Sequence, residues 1–318
     1  MEDAVADSQA DEPAKRNDDI PADIVIIAPH GDVMLDVVFE TSMETLRSAR
    51  RAARPRPGQR VSDGAGRPAL RRKIRVAYRV EVQVLREQSK YFNSLLGDTR
   101  FQEAKTIAAA LKTMSLRNVD AAKLKPDELP WVRIEDDDDV SRSAGREAVF
   151  AELLRVLHGK ETIKTAKNPP NLLELATLAI LSDRFDCTVA PSAYVRNLRF
   201  KFPQAVLKAP KENGDPPIFV NEEAIRQKLL VSWLLDQPLR FQAGSRELVM
   251  YGSTRWSPYT VQDDPPAAAW WDLPDGLESK QVAAESGLFL SLLTAFKESC
   301  RCAARASSTA LPQSRGTS

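Results

Sequence analysis

The chain has 318 residues, of which 43% are apolar and 28% are charged, and its formal net charge at pH 7 is +1. This length and composition are typical of a globular protein with one to three domains and a sizeable core. The longest apolar runs fall far short of the roughly 20 residues that a membrane helix needs, so no membrane span is expected. A net charge near zero argues neither for nucleic-acid binding nor against it.

The few cysteines and histidines limit redox and metal chemistry. Three cysteines form an odd, sparse set that fits a reducing compartment better than a disulfide framework. Because a zinc site wants four Cys or His ligands in a compact pattern and the chain has two histidines, we predict no metal. Residues 1–19 are predicted to be a disordered acidic tail rather than a secretory signal, so we expect an intracellular protein of the cytoplasm, the nucleus or both.

Two apolar segments near the N-terminus are predicted to form a β-hairpin. Residues 24–27 and 33–39 are rich in Val, Ile and Leu, and Pro29, His30, Gly31 and Asp32 between them are typical of a turn. His30 is interpreted as a turn residue.

A basic insert follows over residues 44–73, with many arginines, several prolines and glycines, and a poor supply of apolar residues. Its length and composition predict a flexible arm that either is a solvated loop or serves nuclear import and phosphate binding. The side chains that we assign to the second role are Arg50, Arg51, Arg71, Arg72 and Lys73.

The stretch from residue 74 to residue 103 organises the chain. Ile74, Val76, Tyr78 and Val80 alternate with other residues, which predicts a half-buried strand. From residue 82 to residue 96 the apolar residues recur at three- and four-residue steps, which predicts one amphipathic helix ended by Gly97 and Asp98.

This stretch carries a series of short motifs: an aromatic-x-Val step, an aliphatic-Leu pair, a Ser-x-x-Phe step and a Phe-x-Glu step. The series resembles BTB/POZ domains in the form common in filamentous fungi, over roughly residues 22–186. Glu81 departs from the pattern, since animal members usually carry His there. The residues are Tyr78-Arg79-Val80, Val84-Leu85, Ser89, Tyr91-Phe92 and Phe101-Gln102-Glu103, with Gly31 to Val33 upstream.

The resemblance implies an α+β fold in which a small β-sheet is capped by α-helices. The BTB/POZ-like domain would span residues 20–160, with the basic insert at 44–73 and a second insert at 104–129, and a helical extension would span 168–260. The implied function is protein–protein interaction, with a possible homodimer and a possible role as substrate adaptor on a cullin scaffold of a ubiquitin ligase. The partner-binding residues would be Phe101, Glu103, Leu96 and Tyr91.

Phe101 has two interpretations. It either anchors a partner in an apolar pocket, with Glu103 supplying charge at the rim, or it packs into the core of its own domain. The second insert begins beside it, with a helix-prone run at residues 108–114, and would cover the docking surface if it folded back.

The remainder of the chain predicts helices between turns. Residues 131–134 form a strand, and the five carboxylates of 135–139 are interpreted as a solvated acidic turn rather than a cation site. Helices are expected from the N-cap Ser143 to His158 and from the Asn168-Pro169 pair to Phe185, with Cys187 buried. A further helix begins at residue 221 and ends before Pro238.

Residues 261–318 are predicted to form a Pro/Trp linker, a terminal helix and a loose tail. Trp270 and Trp271 in that linker belong either to a packed strap or to an exposed peptide motif. The chain has no glycine-rich phosphate loop, dinucleotide fingerprint or nucleophile elbow, so we predict no enzyme and no cofactor. The alternative function is that of a nuclear, nucleic-acid-associated regulator acting through the arginine insert; an enzyme with an unrecognised site is a third.

Overall fold

The computed structural model describes residues 23–53, 70–202, 222–251 and 268–271. The α+β class is confirmed, since these residues form a small four-stranded sheet with helices around it. The elements in chain order are β1 (Asp23–Ile26), β2 (Val33–Glu40), α1 (Met43–Ala52), β3 (Lys73–Val80), α2 (Val82–Gln88), α3 (Lys90–Gly97), α4 (Gln102–Leu116), β4 (Trp131–Asp136), α5 (Arg146–Leu157), α6 (Leu172–Arg184), α7 (Val189–Asn197), α8 (Glu222–Leu234) and α9 (Pro238–Tyr251).

The predicted β-hairpin is wrong. The strand order is β1-β3-β2-β4, so β3 lies between the two strands that were expected to pair. β3 is parallel to β1 and antiparallel to β2, and β4 adds to the other edge of β2 in parallel. The apolar runs correctly predicted the four strands, but such a run carries no information about which strand is the neighbour.

The turn between β1 and β2 wraps around the end of β3. The backbone N–H groups of Ile27 and Ala28 both donate to the carbonyl oxygen of Arg79 at 3.1 Å, and that of Asp32 donates to Val80 at 3.0 Å. Gly31 lies so close that an added Cβ would be 2.7 Å from the carbonyl oxygen of Val80. This turn therefore donates hydrogen bonds to the end of β3 and carries the chain across it.

The inner face of the sheet packs against α5. Tyr78 is fully buried at the centre of β3, where its hydroxyl donates to the carbonyl oxygen of Glu147 at 2.8 Å. The ring of Phe150 lies 5.3 Å from that of Tyr78 and 5.9 Å from that of Phe39. Aromatic contacts of this geometry add about 0.5–1.5 kcal/mol beyond area burial, so they help to fix α5 on the sheet.

The second insert covers the outer face of the sheet. It opens with α4, which has 15 residues and is longer than the predicted run at 108–114. Met34 and Ala77 on this face are fully buried beneath Leu129. The buried guanidinium of Arg79 links sheet and insert, because it donates to Gly31 at 3.0 Å and to the carbonyl oxygen of Ala121 at 2.6 Å. The insert is thus a packed layer of the fold.

The helix predicted over residues 82–96 is two helices. Ser89 breaks it, with an extended backbone at φ −141° and ψ 124°. The buried Ser89 hydroxyl accepts from the backbone N–H of Phe92 at 3.0 Å and donates to the carbonyl oxygen of Phe185 at 2.6 Å. The break lets Ser89 cap α3 and tie it to the end of α6, an interaction that helical periodicity does not report.

The first part of the basic insert is ordered, contrary to the prediction of a flexible arm over residues 44–73. α1 occupies Met43–Ala52, and Thr45 and Leu46 are buried. The helix begins at Ser42, whose backbone N–H and hydroxyl donate to the Asp138 carboxylate at 3.0 and 2.9 Å. Residues 54–69 of the insert lie outside the described residues, as do the predicted tail at 1–19 and residues 203–221 within the predicted helical extension.

The acidic run at 135–139 is solvated only in part, since Glu135, Asp137 and Asp139 are exposed and the other two carboxylates are not. Asp136 and Asp138 are each 3% exposed. Asp136 accepts from the buried guanidinium of Arg146 at 2.6 Å and from Arg184 at 2.5 Å. Burial by itself would raise the pKa of Asp138, but hydrogen bonds from Thr45 and Ser42 outweigh it and lower that pKa. The carboxylates of Asp136 and Asp138 therefore link the end of β4 to α1, α5 and α6 through buried hydrogen bonds.

Two helix boundaries differ from the predicted ones. α5 is capped by Gly145 at φ 82°, whereas Ser143 is buried and hydrogen-bonds the Thr177 hydroxyl at 2.9 Å. α6 begins after Asn171, which forms a capping box with Glu174. α8 ends at Leu234, before Pro238 as predicted, and Pro238 starts α9, in keeping with the tolerance of a first helical turn for proline.

The helical extension shares the core of the sheet domain. One continuous apolar cluster runs from β1 through α6, α8 and α9 to Trp270. The backbone N–H of Ala269 donates to the carbonyl oxygen of Val140 at 2.9 Å, and Trp270 is 2% exposed. The short segment 268–271 is therefore a packed strap. The predicted terminal helix and tail lie outside the described residues, and no helix among those described is long and apolar enough to cross a membrane.

Candidate functional site

A groove of about 460 Å³ opens between α3, the start of α4 and the end of α6. These three elements bring together residues that are almost a hundred positions apart in the chain. The side chains that line the groove are Lys90, Tyr91, Ser94, Leu95, Phe101, Arg184 and Asp186.

Tyr91 is held on an aromatic platform. Its ring meets Phe92 and Phe185 edge-on at 5.3 and 5.2 Å, and these two rings stack on each other at 5.4 Å. The Tyr91 side chain nevertheless stays 39% exposed. Partial burial raises the pKa of its phenol, so the hydroxyl remains protonated at neutral pH and can donate a hydrogen bond. The platform thus presents a rigid ring with a polar tip.

Phe101 faces the same groove from the other side. It is 41% exposed and does not join either apolar cluster, so it does not pack into the core of its own domain. The turn before it is fixed: the Phe101 N–H donates to the carbonyl oxygen of Asp98 at 3.0 Å, and Arg100 pairs with the Asp98 carboxylate at 2.6 Å. Phe101 is therefore an exposed aromatic ring on a defined backbone.

Charged groups flank the two rings. Lys90 lies 3.6 Å from the Asp186 carboxylate, and its side chain is 85% exposed. Arg184 is engaged with Asp136 and Asp137, so its charge is already paired. Glu103 lies in the first turn of α4, and its negative charge contributes to the raised pKa of Tyr91. The rim accordingly carries both signs of charge around an apolar centre.

The four predicted partner-binding residues separate into two groups. Tyr91 and Phe101 line one groove, and Glu103 lies near it. Leu96 is 3% exposed within the core and presents no surface to a partner. Sequence reasoning missed Lys90, Arg184 and Asp186, because the end of α6 shares no local pattern with α3. The one local signal for this site was Ser89, because serine favours the N-cap position and so separates α2 from α3 just before Lys90.

The predicted basic arm is partly described. Arg50 and Arg51 lie in the last turn of α1, where a positive charge complements the helix dipole, and Arg71, Arg72 and Lys73 lead into β3. The guanidinium of Arg50 donates to the carbonyl oxygen of Leu70 at 3.2 Å. Lys73 pairs with Glu40 at 3.0 Å. These five residues are exposed, and none of them lines the groove.

Among the residues that the structure describes, neither a metal centre nor a reactive thiol stands out. Within the described part of the chain, no group of three or more His, Cys, Asp or Glu side chains is placed to hold a metal ion. Cys187 is buried, and burial raises the pKa of its thiol to about 12, so the thiolate that reacts is scarce at neutral pH.

Comparisons with family models, curated proteins and solved structures find no match to this chain.

Proposed function

We propose that this chain is an intracellular protein-interaction module of the BTB/POZ type that binds a partner protein through the groove of Tyr91 and Phe101. The observation that carries the proposal is that both aromatic rings remain more than a third exposed on one groove. Large aromatic side chains dominate protein interfaces, and burying one removes a large apolar area from water.

The arrangement suits a docking site in two further respects. The ring of Tyr91 is fixed by Phe92 and Phe185, and Phe101 stands on a hydrogen-bonded turn, so little side-chain entropy is lost on binding. Lys90 and Glu103 stand near the apolar centre, where charges favour specificity and association rate. The partner would therefore present an apolar anchor within a segment that carries both signs of charge.

The finer proposal is that the partner is a cullin scaffold and that the chain is a substrate adaptor of a ubiquitin ligase. It draws on the resemblance of Phe101-Gln102-Glu103 to the hydrophobic-x-Glu element of cullin-binding BTB/POZ proteins. The exposure of Phe101 supports it, because α4 begins beside this residue and leaves its ring at the surface.

The test is retention of a cullin by purified variants of the full chain. Phe101→Ala should reduce the affinity by about 30-fold or more, the effect of an interface anchor worth about 2 kcal/mol. Glu103→Ala should mainly slow association and weaken its salt dependence. Leu116→Ala is the matched control, because Leu116 is 79% exposed at the far end of the same helix.

Thermal unfolding of each variant separates docking from folding. Since Phe101 is outside the core, its truncation should leave the unfolding temperature within a few degrees of the parent chain. The adaptor role is abandoned if the parent chain retains no cullin. The groove itself is abandoned as a binding site if Phe101→Ala and Leu116→Ala bind every retained partner equally well.

A further inference from the structure

A second cavity, separate from the aromatic groove, lies at the opposite end of α6. Its walls are the first turns of α5, the loop at residues 160–171, the first half of α6, and Tyr194 of α7. Arg184, which lines the groove, lies in the last turn of α6. It is about 15 Å from the cavity along the helix axis, at a rise of about 1.5 Å per residue. The cavity volume is about 340 Å³, within the range of small-molecule sites.

The loop wall of the cavity is held in place by a buried carboxylate. Glu152 is 6% exposed and accepts from the backbone N–H groups of Ile163 and Lys164 at 3.1 and 2.8 Å. The Tyr194 hydroxyl lies 3.0 Å from the Lys164 carbonyl oxygen and 3.3 Å from the same carboxylate, so its single proton is shared between these two acceptors. A loop fixed at these points makes the cavity preformed, which lowers the cost of filling it.

The charges on the walls are unequal. Three carboxylates and one ammonium line the cavity within the described part of the chain. Lys164 pairs with Glu174 at 3.0 Å, and Glu152 is satisfied by the loop and by Arg155 at 3.5 Å. Glu147 has no cationic side chain within ion-pair distance among the described residues. Burial raises the pKa of its carboxyl, while a hydrogen bond from its own backbone N–H and the more distant charge of Arg146 act in the opposite direction. One partly buried negative charge therefore faces the cavity without a partner cation.

The rest of the lining is mostly apolar. Ala148 and Val149 contribute from α5, Ile163 from the loop, and Leu173 from α6. A volume of about 340 Å³ equals that of about eleven liquid waters at about 30 Å³ each, which corresponds to a ligand of roughly ten non-hydrogen atoms. A straight aliphatic chain with one charged end has that size and polarity.

We propose that this cavity binds a small alkylammonium ligand, with its cation beside Glu147 and its aliphatic chain among Val149, Ile163 and Leu173. A charge-assisted hydrogen bond to a partly desolvated carboxylate is about twice as strong as a neutral one. An anionic chain of equal length would place a second negative charge beside Glu147, and a neutral chain would leave Glu147 without its counter-ion. The site therefore selects a cation.

The experiment compares octylammonium, octanol and octanoate as probes of the purified full chain by calorimetry at pH 7.5. Octylammonium should bind at least about tenfold more tightly than octanol, and octanoate should bind most weakly. Glu147→Gln should remove that preference while leaving octanol binding unchanged. Glu161→Gln is the matched control, because Glu161 is exposed in the adjoining loop and does not line the cavity.

A filling variant tests the location independently of charge. Ala148 lines the cavity from an exposed position on α5, so Ala148→Phe should leave the unfolding temperature nearly unchanged and abolish binding of both octylammonium and octanol. The proposal is overturned if octylammonium and octanol bind alike, if none of the probes binds, or if Glu147→Gln and Glu161→Gln have the same effect. None of these results bears on the aromatic groove.

Discussion

The imidazole of His158 joins the end of α5 to the start of α2 through Glu81. Its Nε2 atom accepts a hydrogen bond from the backbone N–H of Glu81 at 3.1 Å. Its Nδ1 atom lies 2.8 Å from the carbonyl oxygen of Leu154, which can only accept, so Nδ1 carries the proton. The two contacts together require the neutral ring.

Because these two contacts require the neutral ring, protonation of His158 should lower the free energy of unfolding. Burial, the largest cause, lowers the pKa of His158 below its ordinary value of 6.5. The unfolded chain therefore takes up a proton near pH 6.5 before the folded chain does, and stability falls as the pH drops below that value toward the folded pKa. At higher pH the contribution is fully present. Thermal unfolding from pH 8 to pH 5 should show this slope.

His158→Gln should flatten the slope, because glutamine gains no proton in this range. His30→Gln is the control, since His30 is the only other histidine and is exposed in the turn before β2. Equal pH profiles for the parent chain and the His158 variant would contradict the assignment of the neutral ring as the source of the slope.

Gly31 should be irreplaceable at the crossing of β3. A Cβ there would lie 2.7 Å from the carbonyl oxygen of Val80, and backbone cannot move aside cheaply. We expect Gly31→Ala to lower the free energy of unfolding by about 1–3 kcal/mol, the cost of overpacking. In Gly97→Ala the new Cβ meets only the Arg86 guanidinium at 2.9 Å, the end of a flexible side chain, so this control should change stability little. Denaturant unfolding measures both, and equal losses would refute the crowding argument.

Two neighbouring aspartates should differ sharply in their contribution to stability. Asp136→Asn leaves the fully buried Arg146 without a charged acceptor, which should cost about 3–5 kcal/mol. Asp137→Asn removes only a half-exposed contact to Arg184, worth about 0–1 kcal/mol. Urea unfolding of the two variants is the measurement. A similar loss in both would mean that Asp136 acts as a surface charge despite its burial.

Residues 54–69 should be replaceable by a short Gly-Ser link. The ends of the flanking elements are already joined by the bond from Arg50 to Leu70, and loop length adds little closure entropy. The unfolding temperature should change by no more than a few degrees, whereas a larger fall would show that the replaced residues pack. If the same variant loses nuclear import or salt-dependent retention on nucleic acid, the alternative function through the arginine insert is favoured.

Self-association is expected through one of the two edges of the described four-stranded sheet. β1 forms that edge, and its Ile24 and Ile26 are 48% and 58% exposed. An apolar edge strand is a template for pairing with another chain. Sedimentation should show a dimer at tens of micromolar, roughly a moderate affinity. The double variant with Ile24→Lys and Ile26→Lys should be monomeric, while Leu116→Lys with Val189→Lys, also exposed, should not. A monomeric parent chain would end this expectation.

Most of the local structure could be predicted from short stretches of sequence. The alternation from Ile74 to Val80 marks β3, and the three- and four-residue steps mark the buried stripes of the helices, because each side chain's direction follows from the period of its own element. Gly159 follows the C-cap of α5 at φ 58°, a backbone conformation that favours glycine and so ends a helix at this point. Such features depend only on residues within a few positions of one another.

The tertiary structure alone decided which elements meet. The contact from Ser89 to Phe185 and that from Ser42 to Asp138 each span 96 positions, and no local period encodes such a distance. The order of the strands, the burial of Asp136 and the meeting of Tyr91 with Arg184 follow from how the elements fill one core. Apolar burial is non-directional, so it fixes which faces turn inward but leaves the choice of neighbour to the packing of the whole chain.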